Sequence, residues 1–220
     1  MAHPHLQQPL RRGGAPLETA AAALVLLHGR GATAESILPL GDALGRDGLA
    51  VLAPQAAMGA WYPTTFLAPL RFNEAHLSAA LEAVGRAVAV AEAAGLARER
   101  IVLAGFSQGA CLASEYAARH AGRWGGLLAF SGGLIGSDDL PGADVPDDKA
   151  FEYAGSFEGM PAFLGCSDVD PHIPLARVRQ TARVLERLDA SVDARVYPGF
   201  GHSINDDEIG AARALLAGLD

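Results

Sequence analysis

The chain has 220 residues, half of them hydrophobic, and a formal net charge of −8 at pH 7, enough apolar material for one buried core in a single domain. Its basic residues form no Lys/Arg cluster and no apolar run is long enough to span a bilayer, which argues against nucleic acid partners and against membrane insertion. Cys111 and Cys166 are too few for a disulfide framework and no Cys/His spacing suggests a metal site, so buried free thiols in a reducing cytoplasm are expected.

Residues Met1 to Glu18, with Pro, Gln, His and Gly, read as a flexible tail. Arg11-Arg12 ahead of the apolar run Ala20 to Leu27 has some likeness to an export signal, but Glu18 interrupts it and the run reads better as a buried strand. Beyond the tail, apolar runs alternate with amphipathic stretches. Strands are predicted at Ala22–Leu27, Ala50–Ala53, Ile101–Gly105, Gly126–Phe130, Ala162–Cys166 and Asp193–Tyr197. Helices are predicted at Ala34–Gly45, Asn73–Ala94, Ser107–His120, Leu175–Leu188 and Asp206–Leu216. This β-α alternation predicts an α/β fold, a mostly parallel sheet with helices on both faces and no large lid. Two longer segments, Pro54–Phe72 and Gly132–Pro161, follow strand ends, at the edge where open α/β sheets bind ligands. Their aromatic and aliphatic residues either pack the loops down or line an acyl pocket; Trp61, Tyr62, Phe66, Leu134 and Ile135 are the pocket candidates.

The most informative segment is Val102 to Ala110, an apolar strand running through Gly105-Phe-Ser107-Gln-Gly109 into a helix. A serine on so tight a strand-to-helix turn needs glycine two residues to either side, because a side chain there would strike the neighbouring strand or helix. Ser107 is thereby held out at a helix N-terminus, where free N–H groups favour developing negative charge.

A serine hydroxyl is a weak nucleophile near neutral pH, so it needs a histidine base and a carboxylate to fix that histidine's tautomer. Folds with this elbow supply them in the order Ser, acid, His. Among seven histidines, His202 follows a predicted strand through the glycine-containing turn Pro198-Gly-Phe-Gly201 and precedes a helix. Two acids, Asp168 and Asp170, lie just beyond the strand Ala162–Cys166; Asp170, followed by the turn-stiffening Pro171, is favoured, with Asp168 left to hold the turn. An oxyanion hole requires one N–H after the nucleophile and one from an earlier strand's loop, here the backbone amides of Gln108 and Arg30.

With His28-Gly-Arg-Gly31, Gly105-Phe-Ser-Gln-Gly109, Asp170-Pro-His-Ile-Pro174 and Gly201-His202 in this order, the chain resembles the carboxylesterase/acyl-protein thioesterase family of serine α/β-hydrolases. The resemblance implies an α/β-hydrolase fold and hydrolysis of a small-molecule ester or thioester. Its catalytic groups would be Ser107, Asp170 and His202, with the Arg30 and Gln108 amides as oxyanion hole and no metal or organic cofactor. The chain departs from the family where Arg30 replaces a usual apolar residue and Cys166-Ser167 a usual His-Gly, and the Trp61-Tyr62-Pro63 loop resembles a bacterial branch more than protein-depalmitoylating enzymes. An Arg30 side chain would attract an anionic substrate group or turn to solvent.

Two other classes compete. Gly29-Arg-Gly31-Ala-Thr-Ala34 also satisfies a dinucleotide fingerprint, but the next strand ends Leu52-Ala-Pro-Gln55 without the acid that would hold a ribose. A hydrolase fold kept as a binding module without turnover is the other, because fold alone never secures activity. An apolar loop face would also suit a homodimer.

Overall fold

The computed structural model describes residues 3–45, 47–142 and 149–219. Its strands are β1 (Leu10–Gly14), β2 (Ala22–Leu27), β3 (Leu49–Pro54), β4 (Ile101–Phe106), β5 (Gly126–Phe130), β6 (Asp138–Asp139), β7 (Lys149–Ala150), β8 (Pro161–Ser167) and β9 (Ser191–Tyr197). Seven of them form one sheet in the order β1-β3-β2-β4-β5-β8-β9, parallel except for β1.

Why the central strands are apolar at every position follows from what covers them. Helices α1 (Ala34–Leu44) and α5 (Asp206–Ala217) pack on Leu24, Leu26, Leu128, Phe130 and Phe163. Helices α2 (Glu74–Ala93), α3 (Gln108–Arg119) and α4 (Leu175–Arg187) cover the alternate residues Val25, Leu27, Leu103, Leu127 and Ala129 on the other face. A strand buried on both faces loses the polar half of its alternation, and each Val, Leu or Phe side chain among them contributes about 1.5–3 kcal/mol by leaving water. The predicted strands and helices recur with ends shifted by at most two residues.

The N-terminal segment departs from the expectation of a flexible tail. Residues Leu10–Gly14 add an antiparallel edge strand to β3, with Leu10 opposite Pro54 and Gly14 opposite Ala50. An edge strand is held by backbone hydrogen bonds and exposes Arg11 and Arg12, so it carries no apolar run for a sequence reading to detect. Gly14 makes the close approach possible: its φ is +66°, and a Cβ there would lie 2.2 Å from the Leu49 carbonyl oxygen. His5, in the same segment, is buried; its Nδ1 accepts from the Ala57 N–H at 3.0 Å, which leaves Nε2–H to donate to the Trp61 carbonyl at 2.9 Å.

The described parts of the two long segments are joined to each other. Strands β6 and β7 pair as a short antiparallel ladder, and Asp139 there accepts from the Leu70 N–H and pairs with the buried Lys149 ammonium at 2.7 Å. The loops after β2, β4, β8 and β9 meet at the C-terminal edge of the parallel strands.

Candidate active site

Ser107 stands between β4 and α3 with φ 57° and ψ −122°, a conformation costly for a residue with a Cβ. The flanking glycines are sterically obligatory. A Cβ on Gly105 would sit 2.4 Å from the Gly109 carbonyl carbon, and one on Gly109 would sit 2.2 Å from the Leu27 carbonyl oxygen.

His202 Nε2 lies 2.8 Å from Ser107 Oγ and His202 Nδ1 lies 2.7 Å from Asp170 Oδ2, so the structure brings together the three side chains singled out from sequence. The other Asp170 oxygen accepts from the His172 and Ile173 N–H groups at 2.8 and 3.0 Å. Burial pushes the Asp170 carboxyl upward, but the hydrogen bonds from His202, His172 and Ile173 outweigh it and hold it below its ordinary value. An ionised Asp170 then favours the Nδ1–H tautomer, leaving Nε2 free to accept the serine proton. Phe106 and His172 pack their rings against His202, with centroids 4.8 and 4.9 Å away.

Asp168 is exposed and accepts from the Gly199 N–H at 2.8 Å. It therefore ties the acid's turn to the histidine's turn rather than touching the imidazole. Ser167 does the same from the buried side, its Oγ accepting from the Val169 and Gly201 N–H groups at 3.2 and 3.0 Å.

The turn after β2 abuts the nucleophile, since a Cβ on Gly29 would meet the Ser107 Cβ at 3.4 Å. Within it, the buried His28 imidazole fixes one peptide plane. Its Nε2 accepts from the Ala56 N–H at 3.1 Å, so Nδ1–H donates to the Gly29 carbonyl at 2.8 Å. Burial lowers the His28 pKa and keeps the ring neutral, as that pairing demands. A trans peptide points its C=O and N–H in opposite directions, so the hold of His28 and of the Ala32 N–H on the Gly29 carbonyl also fixes the direction of the Arg30 N–H. Neither the Arg30 nor the Gln108 N–H has a hydrogen-bond partner among the described residues, and Gln108 opens α3, where donors are unpaired by position.

Ser107 and His202 open onto a cavity of about 590 Å³ whose walls include Tyr62, Phe66, Phe106, Cys111, His172 and Ile173. Of the pocket candidates, Tyr62 and Phe66 line it; Trp61, Leu134 and Ile135 do not. Trp61 is fully buried behind the wall and donates its indole N–H to the His28 carbonyl at 2.8 Å. Leu134 and Ile135 are drawn into the core because their N–H groups donate to Thr181 Oγ1 and Glu115 Oε2, each at 2.9 Å. Glu115, missed in the sequence, is a fully buried carboxylate that also accepts from the Gly136 N–H and the Tyr153 hydroxyl and pairs with Arg119. Its only signal was its place on a mostly apolar helix, four residues before Arg119. Both cysteines are buried free thiols whose pKa burial raises to about 12.

A doubly covered parallel sheet with a serine elbow after its fourth strand and Asp and His turns after later strands defines an α/β-hydrolase. Residues 45–219 match the phospholipase/carboxylesterase family model, and the chain belongs to that family. It is 41% identical to a phospholipase/carboxylesterase from Dyadobacter fermentans, superposing with a TM-score of 0.86 over 96% of each chain. Acyl-protein thioesterase 1 of Gibberella zeae is 30% identical over 122 residues, 56% of this chain and 49% of that protein, so the chain spans about half the length of the curated relatives it matches. Esterase PE8, at 24% identity and a TM-score of 0.73 over 97% of this chain and 99% of that one, shares the fold. No helix among the described residues is long and apolar enough to cross a membrane.

Proposed function

We propose that the chain hydrolyses small carboxylic esters or thioesters through an acyl-Ser107 intermediate. The observation that carries this reading is the unbroken hydrogen-bonded series Ser107–His202–Asp170, at 2.8 and 2.7 Å, opening on the cavity. His202 takes the Ser107 proton as Oγ attacks the carbonyl carbon, gives that proton to the departing alcohol or thiol, and then activates water to cleave the acyl-enzyme. Asp170 stabilises the imidazolium formed in each half-reaction. The Arg30 and Gln108 N–H groups bind the tetrahedral oxyanion, a contribution of about a hundredfold to a thousandfold in rate for each donor. The chemistry is assembled wholly from side chains and backbone amides of this chain, and its two buried thiols suit a reducing cytoplasm.

Steady-state hydrolysis of p-nitrophenyl esters from acetate to palmitate, beside Ser107→Ala and His202→Ala, tests the reading. Wild-type turnover with a pre-steady-state burst is expected, together with loss of both in either variant and phosphonate labelling of wild type at Ser107. Ser107→Ala turnover equal to wild type would exclude the acyl-serine route, and a wild type that is inert to esters and to phosphonate would point to a binding module.

A further inference from the structure

Arg30, next in the chain to the Gly29 that abuts Ser107, and Gln108, next to Ser107 itself, share an acceptor. Arg30 Nη2 and Gln108 Nε2 both donate to the Tyr62 carbonyl, at 2.9 and 2.8 Å. Gln108 grips the same segment a second time, its Oε1 accepting from the Trp61 N–H at 2.9 Å. Arg30 extends the grip outward by donating from Nη1 to the Pro63 carbonyl at 3.1 Å and from Nη2 to the Thr64 carbonyl at 2.5 Å. The Arg30 guanidinium is engaged by three successive backbone carbonyls of the cavity wall.

We infer that Arg30 is a positioning residue: through the Tyr62 carbonyl its side chain locks the loop that carries one oxyanion N–H to the helix start that carries the other. This inference rests on the function proposed above. The geometry supports it in three ways. Arg30 lies in the turn after β2 and Gln108 at the start of α3, and side-chain donors from both meet at one oxygen. A planar guanidinium spans three carbonyls in a way that a single ammonium does not. The braced segment is anchored independently, the Thr64 N–H and hydroxyl both donating to Asn73 Oδ1 at 3.0 and 2.8 Å, so it serves as a fixed strut. An oxyanion hole acts by being preorganised, with donors aimed before charge develops, and a donor loop free to drift loses that advantage in the transition state more than in substrate binding.

The test is kinetic. Arg30→Ala and Arg30→Lys retain the Arg30 N–H, so the donor is kept while its brace is removed or reduced. For p-nitrophenyl butyrate, Arg30→Ala is expected to lower kcat about ten- to a hundredfold, less than outright loss of a donor, with KM within about threefold of wild type. Arg30→Lys should fall between the two. Because Arg30 is exposed, methylguanidine at millimolar concentration should enter the vacated site and restore a large part of the Arg30→Ala rate without affecting wild type. Affinity for a trifluoromethyl ketone, which forms a tetrahedral oxyanion on Ser107, should fall in parallel with kcat/KM. An unchanged kcat, or a change confined to KM, overturns the brace, and a lowered kcat that methylguanidine leaves untouched also counts against it. Should Arg30→Ala fail to fold, the kcat and KM of Arg30→Lys decide in the same way. Absence of Ser107-dependent hydrolysis in wild type is a different result, removing the proposed function and this inference with it.

Discussion

Replacing Asp170 with asparagine exchanges one carboxylate oxygen for an NH2 and, in this site, dictates a tautomer. One Asp170 oxygen receives two backbone N–H groups, from His172 and Ile173, and the other receives His202 Nδ1 at 2.7 Å. An asparagine must offer its carbonyl to the paired N–H donors, since its NH2 would clash donor against donor there. The NH2 is left facing Nδ1, which must then accept, so the proton moves to Nε2. That nitrogen, 2.8 Å from Ser107 Oγ, now carries a proton and no longer accepts the serine's. The expected loss is about 10⁴ in kcat, or roughly 5.4 kcal/mol of transition-state stabilisation, with the fold intact because the two backbone bonds persist. Asp168→Asn, by contrast, retains an acceptor for the Gly199 N–H and should cost no more than about tenfold. Burst kinetics with p-nitrophenyl acetate, with circular dichroism to check folding, give the ranking. A larger loss in Asp168→Asn than in Asp170→Asn would refute the reasoning and transfer the acid's role.

Other consequences concern stability and the cavity. Burial pushes Glu208 up from an ordinary 4.5 to about 7, and its Oε1 has no hydrogen-bond partner among the described residues while Oε2 accepts from the Asn205 N–H at 2.8 Å. Because the folded state holds this proton more tightly than the unfolded state, the contribution is fully present below about pH 4.5 and is lost as pH rises through about 7. Glu208→Gln should therefore be nearly neutral at pH 5 and gain roughly 3 kcal/mol at pH 9, measured by urea unfolding; an equal effect at both values would contradict the assignment. Gly109→Ala, with its new Cβ 2.2 Å from the Leu27 carbonyl oxygen, should destabilise by more than about 3 kcal/mol or abolish folding, whereas wild-type-like unfolding would mean the elbow has slack. Phe66→Ala should shift the ester series toward longer acyl chains, because Phe66 lines the cavity. Leu134→Ala and Ile135→Ala should cost about 2–5 kcal/mol each and leave the chain-length profile unchanged; a shifted profile in either would restore them to the pocket.

What could be read from sequence divides along a physical line. The elbow was legible because its glycines, its serine and the flanking strand and helix are consecutive, and steric demand on one turn is a local property. His202 and Asp170 were legible as well, since the chemistry requires their residue types after successive strands and few candidates qualify. The pocket was read less well. Trp61, Leu134 and Ile135 look from composition like lining, yet where a loop's apolar residues point is decided by partners of its backbone, such as Thr181, Glu115 and Gln108, that lie 20 to 47 residues away in the chain. The edge strand β1 was invisible because it is held by main-chain bonds and has no apolar pattern.

The role of the Arg30 side chain belongs to the same illegible class. A guanidinium aimed at an anion, one turned to solvent and one gripping three carbonyls are written with the same letter. The grip on carbonyls becomes visible only with the position of residues 62–64, fixed by Gln108 and Asn73 as well as by Arg30. The backbone amides that would bind an oxyanion are supplied by any residue at positions 30 and 108, so the identity of those residues is free to serve another purpose. Here both side chains reach the same carbonyl oxygen. The chemistry thus constrains the main chain at these two positions, while the side chains constrain where that main chain sits.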